Sequence, residues 1–444
     1  MFPVGELCPK KGRYALNSTP QASPAPLCPI PRKGIQGAAA PILYVCLLLS
    51  SLLVGIGATF FDPTAESAAV GIPDIFSAAA ILILLVHLWR VTRAAKGTLP
   101  LLVASLVILT LITSRVLKAP SILPASMLCG LIFTVGEGSF LIAVQPKSKP
   151  AALPLIPLLA YGITAVLSMD PVGSLAALLP WPAAWALAVG TRRSAESEDG
   201  PNRVGVICGA SLALGLTAAA LLALSLYQAL GTLEPTALEG FVEELRQELI
   251  LAIHTQPLPE GLTPDTAAKW QEQLEYANVE NAVNSGFNLL PAFCTVAVLI
   301  LIAFCQSIQH AALHAFGLGE CVTDRVKAFE MSLVSCVVFL VAYIGALLDN
   351  GAVTTLAGTV ALNAAIILLP GLALAGMLRL TRNLAKKGAQ GMGCLFYLIV
   401  SSFCILFVAP YILAAVEVIG HIFEAVSSKL KFEEEDDNDP FGKS

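Results

Sequence analysis

Glu137 stands in the run Thr134-Val-Gly-Glu-Gly-Ser139, inside an apolar block covering 122–145. A carboxylate placed there is costly to desolvate, so it marks a site where a proton or cation is held, or where a neighbouring helix satisfies it. Glycines on both sides would let a second helix or a ligand approach closely. Glu137 is about 12 Å from the inner end of its block at about 1.5 Å per residue. His87, near the inner end of the block 70–90, is within reach and completes a candidate substrate- or cation-binding pair. Arg90 and Arg93, just beyond it, read as side chains that snorkel to the headgroups.

Other polar residues in the apolar blocks suggest structural roles. Asp74 and Arg115 lie near the outer ends of successive blocks, at similar depth, and are expected to form a structural ion pair. Asn363 is placed to hydrogen-bond between helices, whereas Glu417 falls too near an interface to carry an expectation. His310 and His314 share a helix face at the spacing of metal-binding pairs, with Gln306, Glu320 and Cys321 close by. The residues between them are Ala311, Ala312 and Leu313, so no H-E-x-x-H exists, and the pair reads as the polar end of a helix.

No cofactor or metal is implied elsewhere. Most of the eleven cysteines lie singly within apolar blocks and no C-x-x-C occurs, so they read as small packing residues. There is no nucleotide-binding G-x-x-x-x-G-K-[ST], no G-x-S-x-G nucleophile elbow and no G-x-G-x-x-G. An enzyme is not expected.

The elements that must position these residues follow from composition. Of 444 residues, 56% are hydrophobic and 13% charged, against about 25% charged in soluble domains. The formal charge of −5 excludes a basic nucleic-acid binder. Apolar blocks near 39–61, 70–90, 98–118, 122–145, 151–169, 172–191, 204–231, 286–309, 330–349, 352–380 and 391–418 approach the ~20 residues that cross a bilayer as a helix. Barrel strands would be shorter and would alternate in polarity. The expected fold is an all-α polytopic bundle of about eleven spans in the cell membrane. With the N-terminus cytoplasmic, 19 of the 26 Lys and Arg fall on the cytoplasmic side, the bias that sets orientation. Residues 395–427 are nearly all apolar, with Pro410 near the middle, so a kinked span and a hairpin both remain open there.

Four segments complete the organisation. Residues 1–38 are Pro-rich and basic, expected as a disordered cytoplasmic tail; 39–231 hold about seven spans and 286–427 about four. Between these two membrane regions, 232–285 carry ten acids against Arg246 and Lys269. Leu238, Phe241, Val242, Leu245, Leu249 and Ile250 recur at helical spacing, and Thr263-Pro264-Asp265 opens a second helix through Trp270, Leu274 and Tyr276. An acidic extracytoplasmic helical hairpin is expected, its apolar faces packed together or on the membrane rim. Residues 428–444 form an acidic disordered tail.

Leu290-Pro291-Ala292 after a helical external segment, Gly371-Leu-Ala-Leu-Ala-Gly-Met-Leu before the basic turn Arg382 to Lys387, and the closing Gly420-His-Ile-Phe-Glu424 with Lys429 form a pattern over the C-terminal third. This pattern resembles the YybS-like family, uncharacterised multi-pass membrane proteins of Firmicutes with a domain of unknown function. The family's amino-terminal membrane region is similar to the substrate-binding components of vitamin transporters, so the resemblance implies small-molecule handling and a bacterial membrane. It supplies no catalytic residue. The expected function is therefore a small-molecule transporter or transport-associated component, with the lipid bilayer and a small molecule or cation as partners. The rival is a non-catalytic envelope or assembly scaffold whose external segment binds an envelope protein.

Overall fold

The computed structural model describes residue 30 and residues 39–60, 71–92, 122–145, 153–196, 203–255, 264–318, 331–348, 355–386 and 411–423. The expected span 98–118 with Arg115, nearly all of the two tails, and the Pro410 question lie outside them. The described residues are helical, in the order α1 (Ala39–Phe60), α2 (Ile72–Thr92), α3 (Leu123–Val144), α4 (Leu155–Ser168), α5 (Pro180–Glu196), α6 (Arg203–Leu230), α7 (Pro235–His254), α8 (Pro264–Gln273), α9 (Tyr276–Ala315), α10 (Leu333–Leu348), α11 (Leu356–Lys386) and α12 (Tyr411–Phe423). Six are long and apolar enough to cross a membrane: α1, α3, α5 with the 3₁₀ turn Gly173–Leu178 ahead of it, α6, α9 and α11. The apolar parts of α2, α4, α10 and α12 are shorter. Helix is the form such sequences take because it pairs backbone N–H and C=O groups within one segment, where lipid offers no substitute.

The amino-terminal bundle is organised around α3, which packs against α1, α2, α5 and α9. All but Pro124, Met127 and Leu128 of its residues are buried. Small residues make this possible. At Gly130 a Cβ would run into the carbonyl of Ser50 on α1, and at Gly136 it would sit 2.9 Å from the side chain of Ile308 on α9. A polar tie crosses the contact of α3 with α1, Ser50 to Thr134 at 2.8 Å, and another joins α5 to α1, the Trp181 indole donating to the Ser51 hydroxyl at 3.1 Å. At its C-terminal end, Arg192 of α5 donates to the Ala143 carbonyl from two nitrogens, a cation at the negative pole of the helix. Ile30, from the stretch read as a disordered tail, is buried in the same apolar cluster as Leu43, Phe140 and Val144.

α9 links this bundle to a second one formed by α10, α11 and α12. Its 40 residues run unbroken from Tyr276, so Leu290-Pro291-Ala292 lies inside the helix and does not open it. A proline there removes one backbone hydrogen bond and opens the adjacent turn. Asn363 of α11 fills the opening. Its Oδ1 accepts from the Ala292 N–H at 3.1 Å while its Nδ2 donates to the Asn288 carbonyl at 2.9 Å. Those two backbone groups are the ordinary i, i+4 pair of an undisturbed helix, so one amide bridges the interruption.

The acidic segment departs from its expected form. Its second helix stops at Gln273, and extended backbone at Glu275 starts α9 afresh at Tyr276. α7 packs on the first turns of α9, through Ile250 against Val279 and Val283, and through the Arg246 guanidinium 5.3 Å over the Phe287 ring. Phe241, Val242, Leu245 and Leu249 stay exposed, about a quarter turn round the helix from that contact.

Replacing Asn363 by Leu strands the Ala292 N–H and the Asn288 carbonyl. Equilibrium unfolding in mixed micelles is expected to show a loss of about 1–3 kcal/mol for each stranded group, larger than for Asn363→Gln if the longer amide reaches either partner.

Candidate functional site

Two buried carboxylates stand out, one in each bundle. Glu137 lies seven residues before the end of α3 and is 1% exposed. α2 brings His87 against it, with Nε2 3.3 Å from Oε2. The angle between them is not that of a formed hydrogen bond, and Oε1 of Glu137 is buried without a hydrogen-bond partner. Cys46 of α1 lies close to His87. The pair is unevenly open, because the His87 side chain keeps 12% of its surface exposed and that of Glu137 only 2%.

The glycines beside Glu137 serve helix packing. Gly136 faces Ile308 and the Cys305 carbonyl on α9, and Gly138 faces Ala184, Leu47 and Trp181. Side chains of other helices thus occupy the room that a ligand would have used. The local carbonyl of Gly136 accepts from the Ser139 hydroxyl at 2.8 Å, and Cys305 donates to the Ile132 carbonyl at 3.6 Å. What stays unsatisfied is the carboxyl group itself.

Glu417 of α12 also keeps one oxygen, Oε1, without a hydrogen bond, but its other oxygen is met by a permanent cation. Arg379 of α11 donates from Nε to its Oε2 at 2.8 Å, and His421, one turn along, brings Nε2 to 3.1 Å from Oε1. Glycines again set the spacing: a Cβ at Gly376 would strike the Leu413 carbonyl, and one at Gly420 the Arg379 guanidinium. A permanent cation compensates this carboxylate, and a titratable group sits beside it.

The remaining expectations resolve as follows. Asp74 accepts from the backbone N–H groups of Gly71 and Ile122, each at 3.1 Å, so it ties the start of α2 to the start of α3; its expected partner Arg115 lies outside the described residues. His310 is partly buried near the end of α9 while His314 is exposed, and no group of three metal-ligating side chains occurs among the described residues. Gln306 and Gln309, on the preceding turns, serve helix contacts, accepting from Arg203 at 3.0 Å and from Thr191 at 2.9 Å. The Arg379–Glu417–His421 cluster escaped the sequence reading. The Glu417-x-x-x-His421 spacing was visible, but nothing in the order of residues pointed to Arg379 as the partner.

Breaking the Glu417 pair leaves a buried charge short of its partner. Arg379→Met is expected to cost about 3–5 kcal/mol of stability in mixed-micelle unfolding, and adding Glu417→Leu is expected to restore most of that loss. No protein-family model matches the chain, and neither a curated protein nor a solved structure does, so its functional reading rests on the chemistry of these groups.

Proposed function

We propose that this protein is a multi-pass membrane component that moves a small molecule or ion, or assists such transport, with Glu137 and His87 as its binding pair. The observation that carries this reading is the Glu137 carboxyl, 1% exposed, held 3.3 Å from His87 and with one oxygen lacking any hydrogen-bond donor. Ionisable groups in membrane-spanning segments are expensive and mark ion or substrate pathways. The resemblance to the YybS-like family, with its implication of small-molecule handling, supports the same reading. In this proposal the shorter apolar helices also cross the membrane, giving about eleven spans with the N-terminus cytoplasmic and the acidic segment outside.

The tight contact at Gly136 favours a second reading, in which Glu137 is structural and the protein is an envelope or assembly scaffold. Thermal stability of the purified chain against vitamins, amino acids, polyamines and cations separates the two. A ligand of the folded form at 100 times its Kd should stabilise by about 2.7 kcal/mol. Under the transport reading a hit appears and is lost in Glu137→Gln. Under the scaffold reading nothing binds, and the variant equals or exceeds the parent in stability.

Topology is tested separately in a cysteine-depleted chain. A membrane-impermeant maleimide is expected to label Gln247→Cys in intact cells and Ser18→Cys only after permeabilisation. Labelling in the reverse order would overturn the orientation.

A further inference from the structure

The surroundings of the His87–Glu137 pair restrict what it can hold, on the reading of that pair as an ion site. Divalent cations such as Ca²⁺ take about six to eight oxygen ligands, and Mg²⁺ needs near-octahedral geometry. Here the nearby oxygens are already engaged: the Gly136 carbonyl by Ser139, the Ile132 carbonyl by Cys305, and the Thr134 hydroxyl by Ser50. The flanks of Glu137 are filled by Ile308, Ala184, Leu47 and Trp181. A proton needs one lone pair and no space, and Oε1 of Glu137 has a lone pair with no donor.

Charge leads to the same result. His87 is the one cationic side chain within ion-pair distance of Glu137 among the described residues. Cys46 on α1 is the titratable group next to the pair among the described residues, while the Cys305 thiol of α9 is engaged at the Ile132 carbonyl and Arg192 of α5 at the Ala143 carbonyl. With one proton between them, imidazole and carboxyl carry no net charge, whether as imidazolium with carboxylate or as imidazole with carboxylic acid. One further proton makes the pair cationic and one fewer makes it anionic, and proton exchange with the surroundings passes through one of these states.

We infer that the ion handled at this site is a proton, carried by Glu137 and exchanged with the surroundings through His87. One proton is shared by the pair: it sits on the imidazole with the carboxylate bare, or on a Glu137 oxygen with the imidazole neutral, and the net charge of the pair is zero in both forms. His87 is the exchanging member because it is the partly exposed one, while Glu137 is sealed by packing.

Infrared difference spectroscopy on the full chain in phosphatidylcholine–phosphatidylglycerol vesicles tests this by following the C=O stretch of a neutral carboxyl as pH is stepped. The expected result is a titrating band that shifts in D₂O, is lost in Glu137→Gln and moves in His87→Gln, and is unchanged by Na⁺, K⁺, Ca²⁺ or spermine at fixed pH. Should Glu137→Gln fail to fold, Glu137→Asp supplies the assignment by displacing the band. Saturable removal of the band by one of the cations would overturn the proton assignment and leave the pair as a cation site. If no band assigned to Glu137 responds to pH or to any cation, both this inference and the reading beneath it fall.

Discussion

Close approach of helices to α3 is the constraint on which the amino-terminal bundle depends. Without a hydrophobic driving force between helices in lipid, association relies on packing and on interhelical hydrogen bonds, and both improve as backbones come nearer. Gly130 and Gly136 bring α1 and α9 that near, and the Ser50–Thr134 bond forms across the contact with α1. Larger side chains at those glycines would push the neighbours away and let the polar tie lapse. The same closeness seals Glu137, so the packing that stabilises the bundle also sets the chemistry of this carboxyl.

Comparison of the two buried carboxylates shows how that chemistry is decided. Glu417 is matched by Arg379, a cation that does not lose its proton, and it fastens α12 to α11. Among the described residues Glu137 is matched by His87, whose charge depends on whether a proton is present. A fixed partner makes a carboxylate a structural tie, whereas a titratable partner makes it a place where protonation can change. Location in a buried bundle is common to both, so burial alone does not distinguish them.

Asn363 illustrates a second economy of the fold. Pro291 interrupts a 40-residue helix, and one amide from α11 satisfies a donor and an acceptor at once. That repair also joins the two bundles, because α9 packs with α3 on one side and with α11 on the other.

The helical class and the positions of most helices were legible in the sequence, since the length and uniform apolarity of a block are local properties that decide whether a backbone can satisfy itself in lipid. Pro264 at the first position of α8 was legible for the same reason: its fixed φ and missing N–H act within one turn. Glu137 was conspicuous as a charge in an apolar run, and His87 followed from similar depth on a nearby block. Tertiary structure decided the rest. It filled the glycine flanks of Glu137 with side chains, gave Arg379 to Glu417, and set Asn363 against a broken turn seventy-one positions away. It also turned Ile250 toward α9 and left the Phe241–Leu249 face of α7 uncovered. Each of these depends on the rotation of one helix relative to another. That rotation is a balance of many weak contacts between residues distant in the chain, and hydropathy along a single strand of sequence carries no record of it.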